Sequence, residues 1–157
     1  MSILQQGDQA PDFTLSADDN TQVTLSECRG QFVVLYFYPK DDTSGCTVEA
    51  LDFTALLPEF ERQGAVVFGL SPDGVDKHCK FKQKHALAVT LLADEEKTTL
   101  QAYGVWVEKS MYGRKYMGVE RSTFLIDAEG LIVEIWRNVK VPDHAKNVLE
   151  TIKRLAV

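Results

Sequence analysis

Seven consecutive residues, Phe32-Val33-Val34-Leu35-Tyr36-Phe37-Tyr38, contain no polar interruption and end at Pro39. A half-exposed strand would alternate apolar with polar residues, so a β-branched and aromatic run of this length predicts a strand covered on both faces. Such a strand belongs at the centre of a sheet with layers on either side. Val66-Val67-Phe68-Gly69-Leu70 repeats the pattern as a second buried strand. Between them, Phe53, Leu56, Leu57 and Phe60 recur at helical spacing, and Pro58 inside that pattern predicts a kink or break near Leu57. Ser71-Pro72-Asp73 opens a helix expected over Gly74 to His85. Alternating strands and helices of this kind specify an α/β fold.

The remaining segments fit around that centre. Residues 6 to 20 are turn-rich, with a short strand at Phe13-Thr14-Leu15, and read as a peripheral N-terminal hairpin. Leu91-Leu92-Ala93 continues the strand pattern and Glu95 to Tyr103 is helix-prone, followed by a Gly- and Tyr-containing stretch from Gly104 to Gly118. Ser122 to Ile126 and Leu131 to Trp136 flank the turn Asp127-Ala128-Glu129-Gly130, predicting an antiparallel hairpin. Val148, Leu149, Ile152 and Leu155 mark a closing amphipathic helix. No repeat or linker divides the chain, so residues 1–157 are read as one domain.

Composition narrows the function classes. With 17 basic against 23 acidic side chains the formal charge is -6, which disfavours phosphate backbones and anionic lipid surfaces and so argues against nucleic acid as a partner. The longest apolar run falls far short of the roughly 20 residues of a membrane helix. Met1 to Asp12 has neither a basic leader nor a following apolar segment, which predicts a cytoplasmic protein. Three cysteines, at 28, 46 and 79, form no C-x-x-C pair and an odd count, so each is weighed as a thiol.

Open α/β sheets carry chemistry at the carboxyl ends of their strands, and the loop after Tyr38 holds Cys46 in the opening turn of the following helix. A free thiol of pKa about 8.5 is only ~3% thiolate at neutral pH. Helix N-H groups and the helix dipole favour the anion by less than a full decade, so a reactive sulfur here requires a nearby cation as well. A buried, inert cysteine is the competing reading of the same placement.

Pro39-x-x-x-Thr43-x-x-Cys46 resembles the active-site motif of the peroxiredoxins. Tyr36-Phe37-Tyr38-Pro39-Lys40-Asp41, Gly45-Cys46-Thr47-Val48-Glu49, Phe124-Leu125-Ile126-Asp127 and Ala10-Pro11-Asp12-Phe13-Thr14-Leu15 extend the likeness to the bacterioferritin comigratory, or Q-type, branch over nearly the whole chain. The resemblance implies a thioredoxin-like fold, a central mixed sheet flanked by helices with an N-terminal hairpin extension. It also implies a thiol peroxidase that reduces hydrogen peroxide and organic hydroperoxides, needs no metal, haem or flavin, and is recycled by thioredoxin or a similar thiol. Cys46 would be the peroxidatic sulfur and become a sulfenic acid. Thr43 would accept from the peroxide and donate toward the thiolate, while Pro39 shields the pocket. Arg121, 75 residues downstream (121 minus 46), would supply the missing cation, and Glu49 would orient it. Ser44 departs from the branch, which commonly has proline there.

The resemblance leaves the second thiol open. Some Q-type members carry a resolving cysteine five residues after the first, where this chain has Leu51; others carry it on the helix expected at 74–85, at a place corresponding to Lys82. Cys79 lies three residues earlier, displaced by ~4.5 Å along and ~60° around the helix. It is read as a resolver reached by unwinding of the turn around Cys46, with an external thiol as the alternative. Cys28 is read as structural. His78, Cys79 and His85 match no common zinc spacing, so the two histidines are expected to face solvent or cap the helix. Trp106 and the Tyr112–Tyr116 region, with Lys109, Arg114 and Lys115, would rim the site or a reductant-docking surface, or form a plain exposed loop. The resembled branch contains monomers and dimers, so a monomer or weak homodimer is expected, and no metal site is expected.

Overall fold

The computed structural model describes residues 3–156. The apolar run forms β3 (Phe32–Phe37), and its alternate residues supply two separate cores. Val34, Tyr36 and Tyr38 face one, and Val33, Leu35 and Phe37 face the other. Around β3 lie β1 (Thr14–Ala17), β2 (Gln22–Thr24), β4 (Ala65–Ser71), β5 (Thr90–Ala93), β8 (Ser122–Ile126) and β9 (Ile132–Trp136) in the order β2-β1-β5-β4-β3-β8-β9. β3, β4 and β5 run parallel, and the remaining pairings are antiparallel. The sheet is therefore mixed, and the N-terminal hairpin continues it through β5 rather than standing apart.

Helices α1 (Ser44–Arg62), α2 (Val75–His85) and α4 (His144–Leu155) cover the first face, where Phe53 and Phe60 of α1, Phe81 of α2 and Val148 and Ile152 of α4 join Tyr36 and Tyr38. The short α3 (Thr98–Ala102) sends Leu100 into the second core beside Tyr103, Phe124 and Ile126.

Three expectations need correction. α1 runs unbroken through Pro58. A proline in a helix interior costs about 3 kcal/mol, comparable to what burial of one large apolar side chain returns. Pro58 lies on the exposed side while Phe53 and Phe60 are fully buried, so packing holds the helix through it. α3 is shorter than the helix-prone stretch because Lys97 takes a left-handed φ of 63° and the Asp94 carboxylate draws the Leu100 N-H at 2.8 Å. The Gly104–Gly118 stretch is a regular hairpin, β6 (Trp106–Met111) with β7 (Arg114–Val119), forming its own two-stranded sheet. Tyr112 and Gly113 at its tip both have positive φ, as a tight two-residue hairpin turn requires.

Candidate active site

β3 delivers the chain to Pro39, and residues 39–43 turn it into α1. Asp42 takes a left-handed φ of 63°, and Thr43 stands extended as the residue capping α1. Cys46 lies in the first helical turn with only 1% of its surface exposed. The register of β3 against β8 pairs Phe37 with Ser122, which sets Arg121 just beyond the carboxyl end of β3. A long-range strand pairing thus closes the sequence gap between sulfur and cation.

The Arg121 guanidinium spans two groups. Nη2 donates to Cys46 Sγ at 3.3 Å, and Nη1 donates to Glu49 Oε1 at 2.6 Å. Gly45 permits this approach, since a Cβ there would stand 3.3 Å from Nη2. Burial works against the Arg121 charge, yet Glu49 and Cys46 outweigh it and hold the guanidinium above its ordinary pKa. Its positive charge is therefore secure beside the sulfur, where it favours a thiolate and any oxygen anion formed there. Glu49 is the less expected partner. Its carboxyl is buried, Oε2 has no hydrogen-bond partner, and burial pushes its pKa up to about 7 against the opposing pull of Arg121.

Thr43 and Pro39 flank the sulfur in the chain, but the threonine differs from expectation. Its hydroxyl donates to the Lys40 carbonyl at 2.9 Å and not to Cys46, because that carbonyl lies within the same tight loop. The oxygen keeps acceptor capacity toward a bound molecule. Thr43 also anchors the helix start, its carbonyl accepting from both the backbone N-H and the hydroxyl of Thr47.

All three cysteines are free thiols. Cys28 donates to the Thr24 carbonyl, and burial raises its pKa, which suits an unreactive thiol. Cys79 is half-buried on α2, where Gln83 donates to its sulfur at 3.5 Å. On the same helix Lys84 and His85 both bond Asp42 of the Cys46 loop. At 100° per residue Cys79 is turned about 120° from His85 and about 140° from Lys84, so it projects from a different side of α2 than the two residues that bond the Cys46 loop.

His78 corrects the sequence reading outright. It is fully buried, bonded through Nδ1 to Asp41 Oδ2 at 2.6 Å and through Nε2 to the Leu92 carbonyl at 2.9 Å. Tyr38 donates to the other Asp41 oxygen at 2.6 Å. Helix periodicity sets His78 on the same side of α2 as Val75 and the buried Phe81, three residues before and after it, and that spacing is the signal in the sequence. Asp41, Asp73 and His78 hold potential ligand atoms within 4.8 Å of one another, but Lys77 already supplies a cation to Asp73 and Ser71 bonds the same carboxylate. The hairpin only partly rims the site. Lys109 lays its stem against Gly118 and its charge is disfavoured by burial and by Arg121, whereas Tyr112 at the tip is 98% exposed.

The model of the AhpC/TSA family matches residues 6–135. This chain belongs to that family. Peroxiredoxin Bcp of Bacillus subtilis is 48% identical over 153 residues, covering 98% of each chain, and Peroxiredoxin Bcp of Escherichia coli is 41% identical over 156 residues, covering 99% of this chain and all of the other. A cysteine-to-serine mutant of Xylella fastidiosa PrxQ superposes with a TM-score of 0.94 at 42% identity, each chain covered in full. A Xanthomonas campestris bacterioferritin comigratory protein, studied for alkyl peroxide reduction, gives a TM-score of 0.88 at 46% identity over 92% of both chains. The family member described here is accordingly a thiol-dependent peroxidase with a thioredoxin-like fold, in the Bcp/Q-type branch. Among the described residues no helix is long and apolar enough to cross a membrane.

Proposed function

We propose that Cys46 is the sulfur at which this peroxidase reduces hydrogen peroxide and organic hydroperoxides, with Arg121 as its charge partner. The Arg121 guanidinium bonded to both Cys46 Sγ and Glu49 carries this reading. The Cys46 thiolate attacks one peroxide oxygen, forming an S-O bond as the O-O bond breaks. The sulfur becomes a sulfenic acid and the other oxygen leaves as an alkoxide or hydroxide that takes up a proton. Arg121 lies where both the incoming sulfur anion and the leaving oxygen anion need positive charge. Thr43 offers its hydroxyl oxygen to the peroxide O-H, and Pro39 covers the loop side.

A thiol then displaces hydroxide from the sulfenic sulfur, giving a disulfide and water, and a dithiol reductant of the thioredoxin kind restores Cys46. Cys79 serves as that thiol if the first turn of α1 unwinds. An external thiol is the second reading, favoured by the orientation of Cys79 away from the Lys84 and His85 side of α2. We place the cycle in a reducing compartment, the cytoplasm, with the chain as a monomer or weak homodimer. Cys46→Ser is expected to abolish peroxide consumption, and retained turnover would refute the assignment. Peptide mass spectrometry after one equivalent of hydrogen peroxide distinguishes the resolving routes: a Cys46–Cys79 disulfide supports the first, and oxidised Cys46 with reduced Cys79 supports the second.

A further inference from the structure

We infer that Asp41 and His78 are positioning residues that fasten the Cys46 loop to α2 and thereby hold Thr43, Cys46 and Arg121 in register. This rests on Cys46 being the reacting sulfur. The loop between β3 and α1 is tied to α2 and the segment before it by three separate attachments. The Asp41 carboxylate meets His78 Nδ1, the Asp41 backbone N-H donates to Asp73 Oδ2 at 2.7 Å, and Asp42 accepts from Lys84 and His85. Only the first is completely buried, with both side chains fully shielded from solvent.

The hydrogen inventory shows what the buried pair can bear. The Leu92 carbonyl only accepts, so Nε2 carries hydrogen, and a further hydrogen lies between Nδ1 and Asp41 Oδ2. The Tyr38 hydroxyl fills the remaining Asp41 oxygen. Every polar atom of the pair is therefore engaged, and the chain from Leu92 of β5 through His78 and Asp41 to Tyr38 links sheet, helix and loop. A fully satisfied buried network of this kind is rigid, and removing one member strands its partners. Asp41 lies two residues before Thr43 and five before Cys46. Fixing its carboxylate and its N-H fixes where α1 begins, and with it the sulfur's position under Arg121. Attack geometry is sensitive to displacements of about 1 Å, which can cost on the order of a hundredfold in rate.

The same attachment sets where the loop can open. Asp41 and Asp42 are tied to α2, so any opening would begin at the turn from Ser44 onward, which the Thr43 carbonyl's bonds to Thr47 hold closed.

Three substitutions separate this role from mere packing. In His78→Asn the amide nitrogen replaces Nδ1 and keeps the bond to Asp41; in His78→Gln it replaces Nε2 and keeps the bond to Leu92; His78→Leu keeps neither. The readout is the second-order rate of Cys46 sulfenic acid formation under stoichiometric hydrogen peroxide, trapped with dimedone and quantified by mass spectrometry, alongside Tm. His78→Asn is expected within about threefold of the parent, with His78→Gln and His78→Leu slower by roughly tenfold or more. Equal rates in all three, or rates that follow Tm alone, would overturn the inference. If the parent itself forms no sulfenic acid at Cys46, the assignment of the reacting sulfur fails instead. Amide hydrogen exchange on the parent chain tests the hinge independently of folding defects in the variants. After peroxide oxidation the Thr47 amide should lose protection while the Asp41 amide keeps it, and joint loss would overturn the proposed attachment.

Discussion

Glu49→Gln isolates the energetic consequence of burying a carboxyl beside Cys46 and Arg121. Glu49 titrates at its ordinary 4.5 in the unfolded chain and at about 7 in the fold, where burial outweighs the Arg121 bond. Between those values the folded protein holds a proton that the unfolded chain has released. Stability from this group therefore falls as pH rises through that window and levels off above it. At 1.36 kcal/mol per pH decade the full window corresponds to about 3 kcal/mol. Glutamine preserves an acceptor for Arg121 and removes the titration. Urea unfolding of both proteins from pH 4.5 to 7.5 should show the variant gaining about 3 kcal/mol on the parent, since the other ionisable groups cancel in the difference. A constant difference, or one that narrows as pH rises, would mean that the ion pair governs Glu49 and would refute the reasoning.

Further expectations test other contacts. Arg121→Lys replaces a planar fork, with one nitrogen for each partner, by a single ammonium on a shorter stem; losing a charged hydrogen bond of about 1.5–3 kcal/mol should reduce kcat/KM for peroxide by roughly 10- to 100-fold, and an unchanged value would remove Arg121 from the reaction. Gly69→Ala would put a Cβ 2.6 Å from Tyr36 Cζ, so a loss of about 1–3 kcal/mol is expected in urea unfolding, and an unaltered midpoint would show that the ring moves freely. His144, bonded to Thr123, is held by burial and by Arg121 to a pKa of about 4. Its imidazole resonances should titrate there, and stability should fall as pH drops from 6.5 toward 4 because only the unfolded chain then takes up the proton; titration near 6.5 in the folded protein would refute this.

The central strand was legible because β3 feeds two cores with consecutive side chains, a demand that leaves no room for alternation. The 127–130 turn was equally plain, with Asp127 Oδ1 accepting from the Glu129 and Leu131 N-H groups and Gly130 at φ 90°. The β6–β7 hairpin is hard to read in the sequence because it pairs only with itself and is largely exposed, so its side chains carry little burial pattern, although Tyr112-Gly113 marks the turn. The Cys46 motif could be read from residue spacing, whereas the nearness of Arg121 depends on the β3–β8 register, which no local pattern encodes. The bonds of His78 were hidden for a related reason. Its partners come from a loop and a strand carbonyl, so the spacing to Val75 and Phe81 on α2 marks the face it lies on while its bonds stay unreadable locally.

The burial of Cys46 also imposes a schedule. A small peroxide needs only a narrow passage to a sulfur that is 1% exposed, while a thiol on another protein must bring its own sulfur into line with the S-O bond. Under the proposed role of Cys46, attack on a small peroxide would need less opening of the loop than repair by a protein thiol. The lifetime of the oxidised sulfur would then follow the opening rate of the first turn of α1, and a second peroxide arriving within that interval would compete for the same atom.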